Sequence, residues 1–158
     1  MFIGIDLGTS SIKTILIDEK QNTLSTHSEE INLLNPKVGF YEQDPEIWYL
    51  ATIKCFKKIK KDKPKEFAAV RALGISGQMH GATLIDKNNK VLRPCILWND
   101  TRSMSECIEM EKIYPNLRED SGNIAMPGFT APKLLWIKKN EKEIFKRIYK
   151  VLLPKDYL

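Results

Sequence analysis

Three short strands in direct succession, joined by turns too tight to hold a helix, open this chain and constrain its fold more than any other feature. Phe2 to Ile5 is apolar and runs into the turn cluster Asp6-Leu7-Gly8-Thr9-Ser10. After it, Ile12, Thr14, Leu16 and Asp18 alternate with Lys13, Ile15 and Ile17. That period of two predicts a strand largely buried on both sides beyond its first residues. Asp18 to Asn22 is a polar turn, and Thr23 to Ile31 reads as a third, more polar strand suited to a sheet edge. Strands in such close sequence form an antiparallel meander. This is not how a Rossmann unit begins, since there a helix follows the first strand.

The residues that follow predict a mixed α/β domain, with a sheet covered by helices. Asn32 to Gln43 has no period and carries Pro36 and Gly39, as a loop does. Asp44-Pro45 suits a helix start, because Asp44 can accept from free N–H groups and Pro45 has none to satisfy. Ile47, Ala51, Cys55 and Ile59 then recur every four residues, with Trp48 and Phe56 beside them, above a lysine-rich outer face. Val70 to Ser76 reads as a buried strand that ends in the bend Gly77-Gln78-Met79-His80-Gly81. Asp86 to Lys90 is a hairpin turn between Ala82–Ile85 and Val91–Leu92. Pro94 to Trp98 is strand-like, and Asn99 or Asp100 is expected to cap a helix running to about Ile113. Beyond an irregular stretch to Gly128 with helical fragments, two helices are expected over Pro132–Lys139 and Glu141–Tyr149. A last β-capable run spans Val151–Leu153.

Composition narrows the class. An apolar content of 42% with 28% charged residues is that of a soluble globular chain, long enough at 158 residues for one ordinary domain. The net charge of +5 owes much to Lys57, Lys58, Lys60, Lys61 and Lys63, which fall at the end of one amphipathic segment. Without interleaved aromatics or zinc-ligand spacing, that run reads as a solvated helix end and no nucleic-acid partner is expected. The three cysteines, Cys55, Cys95 and Cys107, form no C-x-x-C pair and fit a reducing cytosol. No apolar run approaches a membrane span. The expectation is a cytoplasmic protein with no membrane partner.

Three places could carry chemistry. In Asp6-Leu7-Gly8-Thr9-Ser10-Ser11, a glycine turn lets backbone N–H groups approach a phosphate, and Thr9, Ser10 and Ser11 add hydroxyls. Asp6 could hold Mg²⁺ through its water shell and Lys13 adds positive charge; the same residues would also make an ordinary hairpin turn. This is neither a Walker A loop nor a G-x-G-x-x-G fingerprint. In Gln78-Met79-His80-Gly81, at a strand end, polar groups between glycines offer donors and acceptors to a polyol, and Met79 offers an adaptable apolar contact. In Trp98-Asn99-Asp100-Thr101-Arg102, Trp98 could face sugar C–H groups, while Asp100 and Arg102 could bond hydroxyls or each other. A strand end with a helix cap accounts for those residues equally well.

These segments carry a resemblance. Ile3-Gly4-Ile5-Asp6-Leu7-Gly8-Thr9-Ser10 resembles the opening phosphate-binding hairpin of the FGGY carbohydrate kinases, within the actin, hexokinase and Hsp70 ATPase superfamily. Gly128-Phe129-Thr130-Ala131-Pro132-Lys133-Leu134-Leu135-Trp136-Ile137-Lys138-Lys139-Asn140 fits the first signature of that family at every constrained position. Gly77 to Leu84, Leu97 to Asp100 and Leu153 to Leu158 are similar to its xylulokinase branch in particular. The resemblance implies a ribonuclease H-like α/β fold, with residues 1–158 the N-terminal, truncated part of the first kinase domain. It implies ATP and Mg²⁺ as cofactors and phosphorylation of D-xylulose at its 5-hydroxyl. Met79 and His80 would contact the ketose, and Trp98 would border its pocket. Asp6 would orient Mg²⁺ and the transferring phosphate, while Gly8, Thr9, Ser10 and Lys13 would lie near the nucleotide phosphates. The general-base aspartate and most adenosine contacts would lie beyond Leu158, so the chain alone would be inactive, and the complete enzyme would be a homodimer. Two other readings stay open: another FGGY kinase for a ketose or sugar acid, and a sugar-binding remnant without catalysis. A nucleotide switch of the actin or Hsp70 kind does not account for the signature from Gly128 to Asn140.

Overall fold

The alternation of the first thirty residues becomes a meander in the computed structural model, which describes residues 1–158. In chain order the first elements are β1 (Phe2–Leu7), β2 (Ser11–Ile17), β3 (Thr23–Glu30), β4 (Glu42–Gln43), α1 (Pro45–Asp62), α2 (Pro64–Ala68) and β5 (Ala72–Gly77). Then come β6 (Thr83–Ile85), β7 (Cys95–Ile96), α3 (Met104–Ile113), α4 (Leu117–Ser121), α5 (Thr130–Asn140), α6 (Lys142–Arg147), β8 (Lys150–Leu152) and α7 (Pro154–Tyr157). They fall into two compact units, residues 1–33 with 45–78 and 158, and residues 34–44 with 79–157.

The first unit is a four-stranded sheet in the order β3-β2-β1-β5. β1 pairs antiparallel with β2 and β2 with β3, so the meander is as expected and β3 lies at an edge. No helix follows Asp6. β5 runs parallel to β1, with Phe2 opposite Ala72 and Leu7 opposite Gly77. A parallel pair needs a crossover, and α1 lies within it. One sheet face buries Ile3, Ile5, Leu7, Ile12, Thr14 and Leu16, while α1 packs on β2 and β3. The helix starts at Pro45 as expected, but its buried stripe centres on Trp48, Ala51, Thr52, Cys55 and Ile59, with Ile47 and Phe56 at the flanks. The lysines at its end are largely exposed, and Lys58 pairs with Glu29.

The apolar run at Val70–Ser76 does form a strand, but not a buried one. β5 is the other sheet edge, and Leu73 is 56% exposed. Its hydrophobicity reads as burial, whereas only β1 covers one side of it.

The second unit holds two small antiparallel pairs, β4 with β7 and β6 with β8. Ala82, Leu84, Ile96 and Ile137 form its core, with Leu134, Trp136 and Phe145 packed against them. The stretch expected as a loop at 32–43 therefore contains β4, held by paired bonds between Leu34 and Glu42 at 2.8 and 2.9 Å. The Asp86–Lys90 turn is present, but its arms meet only at an Ile85–Val91 bridge and a Leu92-to-Leu84 bond, and the ladder partner of β6 is β8. The helix expected to start at Asn99 or Asp100 begins at Met104, with Ser103 at the cap position. The Asp100 carboxylate is engaged elsewhere, as described below. Two helices occupy 130–147 as expected, α5 starting two residues early and α6 ending short. The Tyr149 N–H turns to Ile85 O at 2.8 Å and leads into β8. No helix is long and apolar enough to cross a membrane.

Candidate functional site

In the first unit, strand register places the candidate residues. Asp6 is opposite Lys13 on β2 and opposite Ser76 on β5, and aligned residues project from the same sheet face. This is the face away from Ile5 and Leu7, and all three residues are exposed. Gly8 has no left-handed φ, and its N–H donates to Ser11 O at 3.0 Å inside the hairpin. A Cβ there would stand 3.1 Å from that same oxygen, so the glycine serves a close approach within the turn. Ser10 O accepts from Ile31 N at 3.0 Å, which ties the turn to the end of β3. Thr9 is half-buried and Ser10 exposed, leaving hydroxyl chemistry at the turn, with the Lys13 cation one strand-register away.

No group of three or more His, Cys, Asp or Glu is placed to hold a metal ion. The single exposed carboxylate of Asp6 fits Mg²⁺ of a particular kind: one that keeps most of its waters and arrives with a nucleotide phosphate.

In the second unit the chain leaves Gln78 and makes a three-residue turn, with the Gly81 N–H donating to Met79 O at 2.8 Å. Its central residue, His80, sits at φ 60°, a left-handed conformation that is uncommon outside glycine and strained in a turn of this size. Gly81 follows where a Cβ would come within 2.6 Å of Pro154 Cγ. Met79 is 53% exposed and Trp98 43%, while the imidazole of His80 is half-buried against Phe129, with ring centroids 4.6 Å apart. Burial, and after it the charge of Lys133, holds the His80 pKa below its ordinary value. The neutral imidazole that results at neutral pH can both donate and accept a hydrogen bond.

Two donors meet at the His80 carbonyl oxygen, Thr130 Oγ1 at 3.1 Å and Lys133 Nζ at 2.9 Å. Lys133 Nζ also donates to Gly128 O at 2.6 Å. Gly128 in turn lies so close to Trp98 that a Cβ would be 2.5 Å from the Trp98 carbonyl oxygen. The three sequence segments 79–81, 98 and 128–133 are thus brought into one place. The reading of single motifs missed this role of Gly128, Thr130 and Lys133, because their partners are backbone carbonyls about fifty residues away, or in Gly128's case Trp98.

Asp100 and Arg102 bond each other. Asp100 accepts from Tyr41 N at 2.7 Å, Arg102 N at 2.9 Å and the Arg102 guanidinium at 2.8 Å. Arg102 also pairs with Glu42 at 2.6 Å and lies over the Phe40 ring at 3.9 Å. Glu42 is shared with Arg93, which pairs with Glu141 at 2.6 Å. This buried network fastens residues 40–42 within the second unit and takes Asp100 out of the candidate site.

The model of the N-terminal domain of the FGGY family of carbohydrate kinases matches residues 1–158. The xylulose kinase of Escherichia coli K12 is 51% identical over 158 residues, and that of Klebsiella pneumoniae 49%. Both alignments take in all of this chain and 32% of the relative, so the chain spans about a third of the length of the relatives it matches. Among solved structures, a xyloylose kinase from Brucella ovis superimposes with a TM-score of 0.95 at 52% identity, over 98% of this chain and 32% of the other. The chain belongs to the FGGY family of carbohydrate kinases.

Proposed function

We propose that the chain contributes the phosphate turn and the sugar-contacting wall of an ATP- and Mg²⁺-dependent kinase that converts D-xylulose to D-xylulose 5-phosphate. The observation that carries the reading is the His80 turn: a strained, left-handed histidine beside exposed Met79, fixed by the family signature segment. Local strain of this kind collects at functional sites, and an imidazole next to an exposed thioether suits a polyol. Asp6 is assigned to Mg²⁺ through water, and Thr9, Ser10 and Lys13 to the nucleotide phosphates, with Gly8 shaping their turn. When bound, Mg²⁺ would neutralise charge on the transferring phosphoryl group. The names of the relatives at 51% and 49% identity support xylulose as the sugar. The catalytic base and most adenosine contacts are assigned to residues outside these 158. The reading carries with it a cytoplasmic location and a homodimer for the complete enzyme.

A coupled ADP-release assay tests it. The 158-residue chain alone should show no turnover, since losing a positioned base costs roughly 10²–10⁴ in rate and losing a second wall removes substrate alignment. Fused to the remaining two thirds of the Escherichia coli relative, it should phosphorylate D-xylulose. His80→Ala in the fusion should raise the ketose KM about tenfold, the worth of roughly one hydrogen bond. Turnover by the chain alone, or preference of the fusion for gluconate over every ketose, would overturn the assignment.

A further inference from the structure

Lys133 has no exposed surface, yet its ammonium pairs with no carboxylate. Its donors go to two loop carbonyls, His80 O and Gly128 O, at 2.9 and 2.6 Å. A buried unpaired charge is an expensive way to fill space, and an apolar chain of similar length would pack there at lower cost. What the ammonium provides and an apolar chain cannot is a strong bond to a carbonyl that must point in one direction. That carbonyl belongs to the residue with the left-handed backbone. The Thr130 hydroxyl meets the same oxygen from the first turn of α5, and the Phe129 ring lies against the imidazole. Through Gly128, the same ammonium reaches the segment that touches the Trp98 backbone.

We propose that Lys133 is a positioning residue for the ketose wall: it ties the His80 turn to the Gly128 carbonyl and so fixes the imidazole of His80 relative to Trp98. The ketose part of this statement rests on the function proposed above, while the clamp does not. Burial holds the Lys133 pKa down at about 8, and the nearby Cys95 and Asp100 offset only part of that penalty.

Two variants of the ¹⁵N-labelled chain test the clamp. Lys133→Met keeps the length and removes the charge; Thr130→Val removes the lesser donor to the same oxygen. Signals of Leu84, Ile96 and Ile144, in the core of the same unit, report whether the variant is folded. In folded Lys133→Met, the His80 HN–Hα coupling should move away from its left-handed value, and amide exchange at Gly81 and Ala82 should quicken at least tenfold. Thr130→Val should shift the same signals less. Titration with D-xylulose should perturb Met79, His80 and Trp98 in the parent chain, and Lys133→Met should need about tenfold more ketose. A folded Lys133→Met with unchanged coupling and exchange overturns the clamp. If that variant does not fold, an unchanged His80 turn in Thr130→Val overturns it instead. Should the parent chain ignore D-xylulose while the turn loosens as stated, the clamp stands and the ketose reading falls.

Discussion

A lysine with no exposed surface has consequences for stability as well as for the site. Burial lowers the Lys133 pKa from 10.5 to about 8, so between those values the unfolded chain binds a proton that the folded chain does not. Stability therefore rises with pH across that window, and the penalty present below it is of order 3 kcal/mol at about 1.4 kcal/mol per pKa unit. Cys95 acts in the opposite sense. Its buried thiol is pushed up from 9.0 to about 12, so its contribution is complete below pH 9 and is lost above it. Urea midpoints should climb from pH 8 to 9 and then level off or fall, and Lys133→Met should abolish the climb. Gly128 provides a second check at this scale. A methyl group there meets the Trp98 carbonyl oxygen at 2.5 Å, a backbone atom that cannot swing aside. Gly128→Ala should cost about 1–3 kcal/mol in denaturant unfolding, as overpacking does, and an unchanged midpoint would show that the Trp98 strand end yields.

Among the elements, β4 is held less by its two residues than by the carboxylate of Glu42, which two buried guanidinium groups share. Glu42→Gln should cost about 3 kcal/mol, the typical result of breaking a buried pair. Lys146→Ala, which removes an exposed i,i+3 partner of Glu143, should change the unfolding midpoint by less than about 0.5 kcal/mol. Equal effects would mean that the network carries no more than a surface pair. The same network explains where the sequence was hard to read. Asp100 looks like a helix cap because aspartate before a helical run usually is one, but its partner Tyr41 lies 59 residues away and no local pattern reveals it. The meander was legible because alternation and turn residues are local, and so was the bend at Met79-His80. That β5 is exposed was not legible, since an apolar run states a preference for burial and not whether a neighbour is there to provide it. For the site, sequence named Met79, His80 and Trp98 separately. Only the fold shows that Gly128, Thr130 and Lys133 bring them together.

At the scale of the whole chain, β5 leaves one edge of the main sheet without a partner, with Leu73 more than half exposed beside Ala72 and Gly74. An unpaired strand edge with an apolar residue is a template for another chain. The 158-residue protein should therefore self-associate with rising concentration, and Leu73→Lys should shift light-scattering and gel-filtration profiles toward the monomer. A parent chain that stays monomeric at high concentration would contradict this. The pairing of β5 with β1 also joins residues seventy positions apart, as Phe2 faces Ala72, whereas β1, β2 and β3 meet across turns of a few residues. Closing the longer loop costs more chain entropy before any contact rewards it. The meander should accordingly be formed in the folding transition state and β5 should dock after it. Substitutions in the Asp6–Ser11 turn would then slow folding, while Ile75→Val would leave the folding rate alone and speed unfolding.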